Sequence, residues 1–87
     1  MTKLSWEEFK KYLLDLKLLT AKLTVPCGDF FEFGFRGAFG FMFIYNFKKM
    51  SDYTCRLYDG KEISCDEAKE FIESVVCQYK DCVIGSI

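Results

Sequence analysis

Residues 31–47 read FEFGFRGAFGFMFIYNF, and every aromatic side chain in the stretch stands at an odd position: Phe31, Phe33, Phe35, Phe39, Phe41, Phe43, Tyr45 and Phe47. The even positions hold Glu32, Gly34, Arg36, Ala38, Gly40, Met42, Ile44 and Asn46. A period of two is that of a β-strand with one face buried, and Gly37-Ala38 punctuates the run near its middle. The stretch predicts a hairpin, with strands over about 29–35 and 39–47.

The loop length decides what each face carries. A two-residue loop would set Phe35 against Gly40 and Phe41 against Gly34, so each face would hold the aromatics of one strand only. A three-residue loop at Arg36–Ala38 sets Phe35 opposite Phe39, Phe33 opposite Phe41 and Phe31 opposite Phe43. All the aromatics then share one face, and the other holds Glu32, glycines and Met42, as in an antiparallel sheet wet on one side. The second arrangement is expected, although Gly37 suits a two-residue turn equally well.

Beyond the hairpin, residues 46–51 read as a polar connection and 52–58 as a third strand. Asp59-Gly60 is a type I′ turn signal leading into Lys61-Glu62-Ile63. On the other side, Val25-Pro26-Cys27-Gly28-Asp29 reads as a turn, with Leu23–Val25 as a short edge strand.

Two helix starts flank the strands, written in the same way. Ser5 with Glu8, and Ser64 with Glu67, each form a capping box in which two side chains satisfy two orphan backbone donors. Leu4 and Phe9 have the spacing of a hydrophobic staple around the first. The first helix is expected over about 6–20, where Trp6, Phe9, Tyr12, Leu13, Leu16, Leu19 and Leu23 share a broad face and Glu7, Lys11 and Asp15 lie opposite. The second is expected from Cys65 to Tyr79 or a little beyond, with Ala68, Ile72, Val75, Val76 and Tyr79 in its stripe and Phe71 on the flank. Together these elements predict one α+β domain over residues 1–87. It is a three- to four-stranded, mainly antiparallel sheet, order α-β-β-β-α, with both helices packed on the aromatic face.

Composition restricts the function classes. The chain has 12 basic and 13 acidic residues, a net charge of −1 and no histidine. That balance is neither the cationic footprint of a duplex binder nor the strong negative charge of a nucleic-acid mimic. The N-terminus meets charge at once, unlike a signal peptide, and no apolar run is long enough for a membrane span, so a cytoplasmic location is expected. Five cysteines (27, 55, 65, 77, 82) form no regular framework and read as reduced thiols.

Metal and enzyme readings find little support. Zinc needs close Cys or His pairs, whereas Cys77 and Cys82 would point about 140° apart on a helix at 100° per residue. Cys65 and Cys82 fall near the apolar stripe, and Cys77, on the polar side, is the expected reactive thiol. Without histidine the commonest general base and every Ser-His or Cys-His pair are missing. The carboxylates fit solvated helix faces and first turns. The glycines alternate with Phe in a strand pattern and precede no helix, so they make no phosphate loop. No catalytic activity, cofactor or metal is expected.

One feature points to a protein partner. Leu14 and Leu18 stand one turn apart beside Lys11 and Asp15 on the otherwise charged side of the first helix, an apolar ridge suited to a helix-face contact. The plainer alternative is that the C-terminal tail folds back over them. The expected function is a non-enzymatic protein-binding module with partner-binding residues Lys11, Leu14, Asp15 and Leu18. Nucleic acid and membrane are not expected partners. In size and lack of catalytic groups the chain resembles small accessory proteins of phages and mobile elements, anti-CRISPR proteins among them, and this likeness implies an inhibitor of a host defence system. The alternative is single-stranded nucleic-acid binding, which requires an exposed aromatic sheet face able to stack bases.

Overall fold

The computed structural model describes residues 3–18, 21–37 and 40–84, and side-chain surroundings up to Gln78. Helix α1 (Trp6–Asp15) leads into five strands, β1 (Lys22–Cys27), β2 (Phe30–Arg36), β3 (Met42–Lys49), β4 (Thr54–Leu57) and β5 (Ile63–Ser64), and helix α2 (Cys65–Ile84) closes the chain. The strands form one antiparallel sheet in sequence order, β1 to β5. The α+β class and the flanking helices are as expected; among the described residues the strands number five rather than three or four. Among the described residues no helix is long and apolar enough to cross a membrane.

The aromatic hairpin forms with a different register. Phe35 pairs with Phe43, Phe33 with Tyr45 and Phe31 with Phe47. Gly37 closes the hairpin by donating to the Phe41 carbonyl at 2.8 Å, so the turn comes two residues later than a loop at 36–38. Gly40 supplies the reason. A three-residue loop needs a left-handed residue at its last position. Gly40 takes φ +82° there, whereas the earlier loop would force that conformation on Ala38, whose Cβ disfavours it. Each partner on β3 moves by four residues, an even number, so the aromatics still share one face. Phe41, expected opposite Phe33 and buried, is instead 68% exposed beside the turn. Phe39 lies outside the described residues.

A similar argument sets the last hairpin. A two-residue turn at Asp59-Gly60 would place Ile63 opposite Arg56, on the open face. Instead Cys55 pairs with Ile63 and Thr54 with Ser64, which keeps Ile63 packed against the core. Gly60 is not in the left-handed region and donates to Leu57 O at 2.9 Å. The expected type I′ turn is therefore absent. A one-residue slip would have exposed Ile63, and burial outweighs turn preference.

At the other edge, Val25-Pro26-Cys27 is strand rather than turn, and the turn is Gly28-Asp29, with Gly28 at φ +59°. Arg36 N–H donates to Ala21 O at 2.9 Å. Odd-numbered residues of β1 therefore face β2 with their peptide groups, and even-numbered ones face the free edge. Pro26 stands at an outward position, where its missing N–H removes no ladder bond.

The core is the helix-covered face. Trp6, Phe9 and Leu13 of α1 and Cys65, Ala68, Ile72 and Val76 of α2 bury against Phe31, Phe33, Phe35, Phe47 and Cys55. The Phe9 ring meets Phe47 edge-on, centroids 5.1 Å apart, and Tyr45 meets Phe71 likewise at 5.4 Å, the geometry that ring quadrupoles favour. Both capping boxes form: Ser5 Oγ accepts from Glu8 N–H at 3.1 Å and Ser64 Oγ from Glu67 N–H at 3.0 Å. The reciprocal bonds run from Ser5 N–H to Glu8 at 2.9 Å and from Ser64 N–H to Glu67 at 3.3 Å.

Candidate functional site

Helix α1 stops at Asp15, not near residue 20, because Leu16 turns extended (φ −62°, ψ 123°). No basic residue lies in its last turn. The cation that satisfies its end comes from β1: Lys22 Nζ donates to the carbonyls of Leu13 at 3.1 Å and Leu14 at 2.9 Å, and also to that of Leu16. Lys22 pairs with Phe35 on the helix-covered side of the sheet, so its stem runs toward the helix it caps. Leu23, placed by periodicity on the helix stripe, belongs to β1 and faces the opposite side.

The early stop rearranges the four expected partner-binding residues. Lys11 and Asp15 pair at 3.2 Å in the open, a surface contact of small energetic value. Leu14 is 46% exposed on α1. Leu18, past the helix end, is half-buried and packs on the core. Leu14 and Leu18 therefore do not form a one-turn helical ridge. Cover by the last residues of the tail falls outside the described residues.

In place of the ridge there is a groove. Tyr12, Leu16 and Leu18 on one side and Val76 and Cys77 on the other line a cleft of about 290 Å³, with Lys17 and Glu73 at its rim. It shares Tyr12, Leu16 and Lys17 with a shallower depression of about 510 Å³ that continues along α1 past Glu8, Lys11 and Asp15. Three of the four expected residues thus border one surface: Lys11 and Asp15 the shallow end, Leu18 the cleft. Leu14 stands exposed on the same helix.

Tyr12 ties the two helices together at this site. The Glu73 carboxylate lies close enough to its hydroxyl to act on it electrostatically, and the Lys69 ammonium lies 5.1 Å from its ring centroid. Burial, then the charge of Glu73, push the tyrosine pKa up to about 12, since both disfavour the phenolate. The Tyr12–Glu73 pair joins residues far apart in sequence, and no spacing rule could have found it. Cys77 is exposed at the cleft, in keeping with its expected place on the polar side of α2. Among the described residues no three of Cys, Asp and Glu converge to hold a metal ion.

The cleft presents an apolar floor of leucine, valine and tyrosine, with both signs of charge on the rim. The aromatic face that would have to stack bases is elsewhere, and Phe31, Phe33, Phe35 and Phe47 are fully buried in it. No protein family, no curated protein and no solved structure matched the chain.

Proposed function

We propose that the chain is a non-enzymatic protein-binding module that docks its partner on the α1–α2 groove and the adjoining exposed side of α1. The observation that carries this reading is the apolar floor of Tyr12, Leu16, Leu18 and Val76, open to solvent and rimmed by Lys17 and Glu73. Apolar anchors inside a charged rim are the usual anatomy of a protein interface. Leu14, Lys11 and Asp15 extend the contact along α1, where a partner's apolar side chain meets Leu14 and its charges meet the exposed pair. A module that acts by occupancy rather than turnover suits an inhibitor, and the size-class likeness to phage and mobile-element proteins supports that use against a host defence protein.

The test couples binding to folding on the same variants. Leu14→Gln and Lys17→Glu change exposed positions and should alter stability by no more than about 0.5 kcal/mol. Capture of a partner on the immobilised chain, read by mass spectrometry, should yield one dominant protein that both variants lose while their melts match wild type. A partner retained by both variants removes the groove as the docking site. A wild-type chain that captures nothing removes the reading itself. Titration with a labelled single-stranded oligonucleotide at two salt concentrations should show no binding.

A further inference from the structure

The sheet face away from the helices carries Leu23, Val25, Phe30, Met42 and Ile44, each between 37% and 54% exposed. By register Leu23, Val25, Met42 and Ile44 surround Gly34, which pairs with Leu23 on β1 and Ile44 on β3, and Phe30 lies four residues along β2 from it. A Cβ on Gly34 would lie 3.2 Å from Ile44 Cγ1 and 3.3 Å from the Phe43 carbonyl, so the centre of the face is a shallow dip between two aliphatic side chains. The exposed parts sum to roughly 400 Å² of apolar surface, the size of patch that marks an interaction site on a small protein.

From this geometry we infer that the open sheet face is a self-interface, and that two copies of the chain pack face to face across Gly34. By register Lys48 and Arg56 also stand on this face, at its Phe30 end, where Lys48 lies over the Phe30 ring and Arg56 donates to the Tyr58 carbonyl; the two charges nearest Gly34 choose the occupant. Glu32 and Arg36 stand two residues either side of Gly34 on β2, on the same face, and neither makes a salt bridge or side-chain hydrogen bond among the described residues. A two-fold axis in the mid-plane, crossing β2 at Gly34, lays Glu32 of each copy over Arg36 of the other. It lays Leu23 over Leu23 and Ile44 over Ile44. A two-fold axis along β2 would instead stack Glu32 on Glu32, so the charges select the first arrangement.

Area and edge chemistry agree. Pairing two such faces with their polar rims covers on the order of 1,200 Å², within reach of a specific dimer, and aligned sheet packing crosses the strands by only about 30°. Pro26 withholds its N–H from the free edge of β1, which disfavours association by adding strands edge to edge. The net charge of −1 per copy sets up little repulsion. This face lies opposite the α1–α2 groove, and the inference does not rest on that groove binding anything.

Sedimentation velocity from about 1 to 300 μM should show a monomer–dimer equilibrium. Ile44→Lys, at the centre of the face, should weaken it at least about a hundredfold. Glu32→Arg and Arg36→Glu should each weaken it about tenfold, and the double exchange should restore it to within about threefold, because the pairing recurs with its signs reversed. Far-UV circular dichroism would show that each variant is folded, and the charge exchanges keep the inference open to refutation if Ile44→Lys is not. A chain that stays monomeric at 300 μM overturns the inference, leaving the face to a different partner. So does a dimer that Ile44→Lys leaves intact, or one whose charge exchanges fail to compensate.

Discussion

The ammonium of Lys22 donates to the carbonyl of Leu14 at 2.9 Å, and through the same three-donor group to Leu13 and Leu16, so that the first strand caps the first helix. A ten-residue helix is marginal alone, and its C-terminal carbonyls carry partial negative charge that a lysine offsets. Lys22→Met keeps the stem and removes the charge. It should cost about 1.5–3 kcal/mol in a urea melt, in the range of hydrogen bonds to a charged group. Hydrogen exchange should quicken in the last turn of α1 before it does in the sheet.

The two N-caps should each be worth about 1 kcal/mol to stability, lost on Ser5→Ala or Ser64→Ala. The helix starts also touch, since Leu4 N–H donates to the Asp66 carboxylate at 3.2 Å. The double variant should therefore depart from additivity in denaturant melts.

Phe33 and Phe41 share a parity in the sequence and differ in the fold. Phe33→Ala removes a fully buried ring and should cost about 3–5 kcal/mol, enough to unfold most of a small domain. Phe41→Ala, at an exposed site, should stay within about 0.5 kcal/mol. Gly40→Ala, at φ +82°, should cost about 1–2 kcal/mol. Equal melting midpoints for the two phenylalanine variants would mean that the hairpin turns where Ala38, not Gly40, takes the left-handed position.

Tyr12 links stability to high pH. Its pKa rises from an ordinary 10 to about 12 on folding, so its contribution is complete below pH 10 and is lost as pH climbs through 12. Wild type should lose stability over that window relative to Tyr12→Phe, and the two urea curves should converge there. A gap that is constant with pH would mean that the hydroxyl does not face Glu73 in solution.

Thiol labelling should separate the cysteines by burial. Cys27 and Cys77 are exposed, whereas Cys55 and Cys65 are fully buried. The sequence pointed to Cys77 alone; Cys27 joins it because β1 is an edge strand. A hydrogen bond to Cys65, with burial added, raises the Cys55 thiol well above its ordinary range. Peptide mapping after a short native pulse should find label on Cys27 and Cys77, and on Cys55 and Cys65 only after unfolding.

The sequence alone determined the local devices: both capping boxes, the period-two aromatic face, the helix start at Cys65 and the side of the sheet on which Phe31, Phe33, Phe35 and Phe47 lie. Each depends on residues within a few positions of one another, or on a parity that survives an even slip. Only the tertiary structure decided the rest. Helix α1 ends at Asp15, where Leu16 turns extended and a lysine from β1 reaches back to the last carbonyls. Asp59-Gly60 forgoes its preferred turn because Ile63 must face inward. Leu18 drops into a cleft with Val76, and Tyr12 finds Glu73, through contacts between α1 and α2 that no sequence spacing encodes. In each case a few kcal/mol of burial or charge pairing across the fold outweighed a local preference worth less.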